Sequence, residues 1–470
     1  MTRRGERSGA SGEPYSPHRR TAILLAGVGT AGAYHAGVLR ALHEAGVKID
    51  VASGRGIGAI SALFAAVDGG ARLWGDKGLW RPGGLNELYR WHPILRLLLG
   101  ACAAAVLIAV VPLGALALGL IVFPIDFFLK MVGLSGGGLT ALYMRFAELA
   151  FSPSALPTWL PRLAVLVLAA AGGLALSSAI FHAARRRERG PYWWRLVPAP
   201  LTRVAVAERC WSVLWDLVRG AAHVRQPETP ELARRYAELL TENIGQPGFR
   251  ELMIAVHDLD TRRDLVCAAI PETRRRELGR RPKTEPEFRQ AEVLDLMGVG
   301  RDHLADAIEA SLTLPLVTEP HAMTFQSDSF WRGETHRLCD RAGSLQRLVE
   351  ELVAADVEQI ILVSPAPELE GPHELTRTRI DGRGRIGEWL QSMEAAAVRD
   401  VLHTRESGVR LFVIRPVHNP VGPFDFQGGF DDRSDRPCSL TELMALGYED
   451  AYRQFVEPVV APSGDRVGQH

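Results

Sequence analysis

The sequence predicts an α/β sandwich with a mostly parallel sheet, interrupted by an inserted transmembrane helical hairpin. Three observations carry this prediction. Short apolar runs that suit buried strands alternate with longer segments of helical periodicity. A glycine-rich turn follows each of the first two runs. Two long uncharged apolar stretches then occupy the middle of a chain of 470 residues, which is enough for one large domain or two ordinary ones.

The strands and helices of the sandwich are predicted from apolar runs and their period. A run before the first glycine turn and two runs around Asp258 are predicted to be strands, and the latter two are predicted to form a β-hairpin or strand pair. Further alternation continues to the end of the chain. The predicted strands cover 22–26, 252–256, 265–270, 359–363 and 409–414, and the predicted helices cover 303–314, 345–354, 386–402 and 443–455.

The two uncharged stretches are 97–125 and 163–181, and each has the length of about 20 residues that one bilayer crossing requires. Basic residues are denser outside the pair than between its members, above all in the arginine run at 185–189, which could also contact anionic lipid headgroups. We therefore expect a cell-membrane protein with two transmembrane helices and a cytoplasmic domain. Pro112 and Pro124 also permit the alternative of two helices within one leaflet.

Charge and cysteine usage exclude several classes of function. Lys+Arg and Asp+Glu both number 54, so the formal net charge is zero and no basic face for nucleic acid is indicated. The five cysteines are far apart and never form a CxxC pair, which favours reduced structural thiols over a disulfide framework or a zinc site. The histidines are scattered without ligand spacing, so we expect no metal and no cofactor.

The first glycine turn includes Gly27, Val28, Gly29 and Gly32, between a predicted strand and a helix. Backbone N–H groups in such a turn, together with the helix N-terminus, can hold a phosphate, a dinucleotide or an oxyanion. The GxGxxG spacing alone is weak evidence for any one of these ligands, because dinucleotide-binding folds share it. Asp50 has roughly the spacing of an acidic ribose ligand, but no Rossmann pattern follows it, which disfavours a nucleotide.

The second turn has the build of a nucleophile elbow, in which a strained strand-to-helix turn exposes one side chain. Its sequence is Gly54-Arg55-Gly56-Ile57-Gly58, so glycine occupies the central position that serine holds in a G-x-S-x-G elbow. Residue Gly56 has no side chain and cannot act as a nucleophile.

From 21 to 65, these turns and the strand and helix between them resemble the N-terminus of the patatin-like phospholipases in order and spacing. The Ala-Ser-x-x-x-Pro segment at 310–315 and the segment that begins at Cys339-Asp340 resemble further elements of that family. The resemblance implies a three-layer sandwich and lipid acyl hydrolysis by a Ser–Asp dyad. It places the nucleophile at Gly56, the base at Asp340 and the oxyanion donors on the backbone around Val28.

Composition, apolar patterning and this resemblance together predict five segments. Residues 1–18 form a disordered tail, and 19–92 hold the oxyanion loop and the elbow. The hairpin occupies 93–185, the second patatin-like part 186–364, and an extension packed on the core 365–470.

The position of the base has a rival. Trp331-Arg332-Gly333 also resembles the family's Asp-Gly-Gly element, and this alignment removes the base and leaves Asp328 as the nearest carboxylate. Asp340 could instead form a structural ion pair with Arg341 or Arg347. Substitute nucleophiles are Ser53, Cys339 and Ser329.

The sequence leaves two functions. The first is a catalytically impaired protein that binds lipid acyl esters, a fatty acyl chain or a protein partner at membrane lipids. The second is an active lipid acyl hydrolase with a displaced nucleophile. Removing a hydrolase nucleophile costs on the order of 10⁶ in turnover, which favours the first function.

Overall fold

The computed structural model describes the ranges given at the end of this paragraph. It divides into two compact units, Met1–Arg90 with Leu201–His470, and Trp91–Pro200. Most of the predicted tail, residues 1–14, lies outside the described residues. The described residues are 15–76, 78–80, 88–133, 137–151, 165–173, 176–177, 199–220, 222, 224–278, 290–367, 382–404, 408–416, 429–431 and 436–460.

Strands and helices alternate along the first unit, and the described part of the second unit is mainly helical. The strands are β1 (Thr21–Leu25), β2 (Val51–Gly54), β3 (Arg90–Trp91), β4 (Leu201–Thr202), β5 (Glu251–Asp258), β6 (Arg263–Ala269), β7 (Val293–Asp295), β8 (His321–Thr324), β9 (Thr335–Cys339), β10 (Gln359–Val363), β11 (Arg410–Ile414), β12 (Gly429–Asp431) and β13 (Arg436–Cys438). The helices are α1 (Ala31–Glu44), α2 (Gly58–Ala66), α3 (Ala71–Trp74), α4 (Pro93–Met131), α5 (Gly137–Phe151), α6 (Val204–Arg219), α7 (Thr229–Asn243), α8 (Glu272–Leu278), α9 (Leu304–Ser311), α10 (Ser344–Ala354), α11 (Gly382–His403) and α12 (Leu440–Ala451). A 3₁₀ turn covers Arg301–His303, and a π-helix covers Tyr452–Val460.

The main sheet is mixed but mostly parallel, as the sequence predicts. Its order is β11-β10-β1-β2-β5-β6-β7, with β9 pairing β5 and β8 pairing β9. The five strands from β11 to β5 are parallel to one another, and β6 pairs with β5 in antiparallel orientation as the predicted β-hairpin. Parallel neighbours require crossover connections, which α1 and α2 supply in the N-terminal part of the chain.

Helices cover both faces of this sheet, so its central strands are buried throughout. Every residue of β1 is buried. Its odd-numbered side chains, such as Ile23, pack in a core with residues of α1, α2 and α12. Its even-numbered side chains, such as Leu24, pack in a second core with residues of α10 and α11. This alternation is the pattern of a parallel sheet between two helical layers.

The predicted transmembrane hairpin is wrong. The first apolar stretch, 97–125, lies inside α4, and the second, 163–181, lies partly outside the described residues. Over the part of the chain that the structure describes, none of the helices meets both the length and the apolarity that a bilayer crossing needs. The expected cell-membrane localisation with two transmembrane helices is corrected with it. The physical reason is that the absence of charge shows only that a segment is apolar. Apolar helices also occur packed on other helices.

Candidate functional site

The glycine loop follows the central strand β1 directly and is tightly packed. Gly27 has φ +136° and Gly29 has φ +60°, backbone conformations that favour glycine. A Cβ on Gly27 would lie 2.8 Å from both Ala31 Cβ and Pro365 Cγ, and a Cβ on Gly32 would lie 2.0 Å from the indole of Trp80. Close packing therefore accounts for these two glycines.

The elbow follows β2, which pairs with β1 so that Gly54 lies opposite Leu25. The amide of Arg55 donates to Leu25 O at 3.1 Å, and the amide of Ile57 donates to Gly27 O at 3.0 Å. A Cβ on Gly58 would lie 2.0 Å from Leu25 O. The structure thus brings the two turns into backbone contact at the carboxyl ends of adjacent parallel strands.

Gly56, at the predicted nucleophile position, leaves no room for a side chain. It has φ +58°, and a Cβ there would lie 2.2 Å from Gly27 O and 3.2 Å from Asp340 Oδ2. A separation below 3 Å from a backbone carbonyl forces the backbone to shift. The elbow conformation is therefore present, while the glycine loop closes over its apex.

Asp340 lies beside this apex, immediately after β9. Its amide donates to Thr313 O at 2.8 Å, which fixes it against the segment that follows α9. The Cβ of a side chain at Gly56 would contact its carboxylate. The alignment that makes Asp340 the dyad residue thus places the predicted base next to the predicted nucleophile position.

The partner of Asp340 is Arg55, and neither Arg341 nor Arg347 takes that place. Arg55 Nη1 donates to Oδ1 at 3.0 Å and to Oδ2 at 2.8 Å. The Arg341 guanidinium instead lies 3.3 Å from Asp264, and Arg347 lies 2.8 Å from Glu292. The sequence places Arg55 in the elbow but does not reveal its ion-pair partner, because the direction of its side chain depends on the fold.

A second carboxylate reaches the same guanidinium from α11. Arg55 Nη2 donates to Glu394 Oε1. Glu394 lies among the buried positions Leu390, Ala397 and Val398, whose spacing places it on the buried face of α11. This spacing is the signal that could have identified Glu394 from the sequence.

The Arg55–Asp340–Glu394 triad is fully enclosed. Arg55 is 0% exposed, Asp340 2% and Glu394 5%. Burial alone would lower the pKa of Arg55, but the two carboxylates raise it, so the guanidinium stays charged. Burial raises the pKa of Asp340 and of Glu394 against the opposing effect of Arg55. Two carboxylates share one cation, so the triad favours an added proton.

The side chain of His35 on α1 contacts the backbone directly before the glycine loop. Its Nε2 donates to Ala26 O at 2.9 Å, and the residue is 0% exposed. Burial lowers the pKa of His35 to about 4, with the charge of Arg55 acting in the same direction. The imidazole is therefore neutral at pH 7. The sequence gives no sign of this role, because a single histidine on an apolar helix is most often a core residue.

The substitute nucleophiles are held in structural contacts. Ser53 is buried in β2 and donates to Ile23 O at 2.7 Å. Burial, together with the charge of Asp340, raises the pKa of the Cys339 thiol to about 12, which disfavours the thiolate. Ser329 Oγ donates to Gln326 O at 2.6 Å in the turn between β8 and β9.

The rival alignment for the base, Trp331-Arg332-Gly333, falls in the turn between β8 and β9, as does Asp328. Arg332 and Gly333 have φ +46° and +83° there. Across the described ranges, no group of three or more histidine, cysteine or carboxylate side chains is placed to hold a metal ion.

Chemically, the arrangement lacks two requirements for nucleophilic ester hydrolysis. The elbow presents no hydroxyl or thiol, and the carboxylate beside it is engaged on both oxygens by Arg55. Every residue of 21–39 and 51–67, which contain the two turns, is buried. The apex of the elbow therefore has little solvent-exposed surface.

Comparison with known proteins gives little beyond this description. No family model matches the chain, and no curated protein matches it. The chain is similar to the crystal structure of VipD from Legionella pneumophila, with 12% sequence identity over 95% of this chain and 67% of that chain. The TM-score is 0.29. A score this low leaves the function of the chain to be argued from its own residues.

Proposed function

We propose that this chain is a catalytically silent relative of the patatin-like phospholipases, which binds lipid acyl groups without hydrolysing them. The single observation that carries the proposal is the bond from Arg55 to both oxygens of Asp340 beside Gly56. The motifs of the two turns support the resemblance to this family. The Arg55–Asp340–Glu394 triad supports the proposed loss of activity.

The first step is the absence of a nucleophile. Removing the nucleophile of a serine hydrolase costs on the order of 10⁶ in turnover, and the remaining oxyanion site and binding leave about 10³ to 10⁴ over water. At Gly56 no side-chain atom can attack a carbonyl. A Cβ at this position would lie 2.2 Å from Gly27 O, so the surrounding backbone is packed for a glycine and for no larger residue.

The second step is the loss of the base. A general base needs a free oxygen within hydrogen-bond reach of the proton that it takes. Arg55 Nη1 engages both oxygens of Asp340, and this pair lies out of solvent, at 0% and 3% side-chain exposure. Opening the pair would leave a cation and two carboxylates in a buried site, which is costly.

The alternative of an active hydrolase with a displaced nucleophile is disfavoured by the same contacts. Ser53 and Ser329 donate to backbone carbonyls, and Cys339 is buried next to Asp340. None of the three is placed at the apex of the elbow. These contacts therefore favour a chain without turnover over an active hydrolase.

The test is ester hydrolysis by the purified full-length chain on p-nitrophenyl butyrate and on a phospholipid. We expect a rate indistinguishable from that of a heat-denatured sample. An active serine esterase assayed in parallel shows that both substrates are competent. A wild-type turnover that survives purification and scales with protein concentration would contradict the proposal.

A further inference from the structure

We propose that His321 is a pH-sensitive switch, which ties β8 to the start of α6 at neutral pH and releases it in acid. The neutral ring binds Arg203, and the protonated ring exchanges Arg203 for Glu309. The side chains of His321 and Arg203 are only 12% and 16% exposed, so solvent screens this contact weakly. The switch is independent of the proposed lipid-binding function.

The partner at each ring nitrogen fixes the protonation state of His321 in this structure. Nε2 lies 2.7 Å from Asp306 Oδ1, and Nδ1 lies 2.8 Å from Arg203 Nη2. A guanidinium only donates hydrogen bonds, so Nδ1 accepts one and carries no proton. Nε2 therefore carries the single ring proton and donates it to Asp306. The contact with Arg203 requires the neutral imidazole.

The carboxylate of Asp306 is a fixed negative charge beside this ring. Burial acts to raise the pKa of Asp306, but hydrogen bonds from His303 and His321 outweigh that effect and lower it to about 2. The thiol of Cys267 on β6 faces Asp306, and burial raises its pKa to about 12. On β9 the residue opposite His321 is the uncharged Leu338. Histidine is the side chain whose charge ordinarily changes between pH 5 and 8.

Glu309 on α9 is placed to accept a second ring proton. Its Oε2 lies 3.4 Å from His321 Nδ1 and 3.5 Å from Arg203 Nη2. A proton on Nδ1 would point at the guanidinium, which offers no acceptor and has the same charge. The protonated ring therefore keeps Asp306, donates from Nδ1 to Glu309 and displaces Arg203.

His303 shares Asp306 but has no second carboxylate. Its Nδ1 lies 2.8 Å from Asp306 Oδ2, and its buried Nε2 has no hydrogen-bond partner among the described residues. A proton on Nε2 would leave a buried N–H unpaired, which is costly. His303 therefore serves as the control histidine for His321.

Displacement of Arg203 affects the start of α6. Arg203 directly precedes this helix, and its Nη1 also donates to Glu319 O at 2.9 Å. A cation at this end faces the positive end of the helix dipole, and the first turn of α6 has no acidic residue. Arg203 therefore depends on its partners near β8, and the loss of His321 in acid loosens the first turns of α6.

The experiment measures hydrogen–deuterium exchange of peptides from α6 in the full-length chain at pH 7.5 and 5.5, corrected for the intrinsic effect of pH. Loss of a hydrogen bond to a charged group speeds local opening about tenfold or more. We expect that acceleration in the wild type at pH 5.5. His321→Gln keeps a donor and an acceptor but takes up no proton, so it should change less than twofold. His303→Gln should respond like the wild type.

Two further measurements test the exchange of partners. Nitrogen-15 NMR of histidine-labelled protein should show the His321 proton on Nε2 alone at pH 7.5 and on both nitrogens in acid, with the signal assigned by its loss in His321→Gln. Glu309→Gln removes the carboxylate that receives Nδ1–H, so the response should move to lower pH. Circular dichroism at pH 7.5 checks that each variant is folded.

Several results would overturn the proposal. One is a wild type whose α6 exchanges equally at both pH values, and another is a proton on His321 Nδ1 at pH 7.5. An equal response in wild type and His321→Gln places the titrating group elsewhere. A response lost in both His321→Gln and His303→Gln assigns it to Asp306 and its whole cluster. An unmoved response in Glu309→Gln removes Glu309 as the new partner.

Discussion

The guanidinium of Arg55 donates from Nη1 to both carboxylate oxygens of Asp340, at 3.0 and 2.8 Å, one residue before the apex of the elbow. Its second terminal nitrogen binds Glu394 on α11. An ion pair of this kind is expensive to break, because each partner is then left charged and buried. The pair thus ties the elbow to Asp340 and to the helical layer that contains α11.

Arg55→Ala should destabilise the fold strongly. Removing one partner of a buried ion pair costs about 3 to 5 kcal/mol, because the remaining charges have no compensation. The measurement is urea unfolding followed by circular dichroism. The control is Arg40→Ala, whose i,i+4 pair with Glu44 lies at the surface and should cost less than about 1 kcal/mol. Equal costs for the two variants would contradict a structural role for the triad.

Gly56→Ser should destabilise the protein beyond the cost of its backbone conformation. The matched control is Gly245→Ser, because Gly245 has φ +89° and a Cβ there meets nothing within 4 Å. Residues outside their favoured backbone region cost of the order of 1 to 3 kcal/mol, which both variants share. The contact with Gly27 O belongs to Gly56→Ser alone, so its midpoint of urea unfolding should be lower. Matching midpoints would show that the loop opens readily.

His35 should make the fold less stable in mild acid. Its pKa is about 4 in the folded state and about 6.5 in the unfolded state, so the unfolded chain binds more protons between these values. The contribution is complete above pH 6.5 and is lost as pH falls towards 4. Its full size is about 3 kcal/mol.

The measurement for His35 is the free energy of unfolding from pH 4 to pH 7 for wild type and His35→Gln. The variant keeps a donor for Ala26 O but does not titrate, so its slope against pH should be shallower. An unchanged slope in His35→Gln would mean that the imidazole can reach water when it is protonated.

Glu394→Gln should gain stability relative to the wild type as pH rises. Burial raises the pKa of Glu394, so its folded state binds more protons than its unfolded state above the ordinary glutamate value of about 4.3. Wild-type stability from this group is complete below that value and is lost as pH rises through the raised pKa. The difference in unfolding free energy between variant and wild type should therefore increase with pH. A constant difference would show that Glu394 is ionised in both states.

The alternation of strands and helices was predictable because it depends on local apolar patterns. The predicted strand at 359–363 is β10, and the predicted pair around Asp258 is β5 and β6. The two glycine turns were also predictable, since their backbone conformations exclude most side chains. The predicted transmembrane hairpin is wrong, because apolarity over 97–125 does not specify what a helix packs against.

The triad could be predicted only in part. The sequence singles out Gly56 and Asp340, but no local rule pairs Arg55 with a residue 285 positions away. That pairing depends on the register of β2, β5 and β9, which is a property of the whole sheet. Glu394 was accessible in principle, because its spacing from Leu390 and Val398 places a charge on the buried face of α11.

The most direct test of catalytic silence is covalent labelling of the purified full-length chain with a fluorophosphonate, read by intact mass. An active serine hydrolase tested in parallel shows that the reagent is competent. We expect no adduct on this chain, because Gly56 has no hydroxyl and the carboxylate of Asp340 is hydrogen-bonded to Arg55. One adduct per chain, lost on unfolding and mapped to a single serine, would contradict the account.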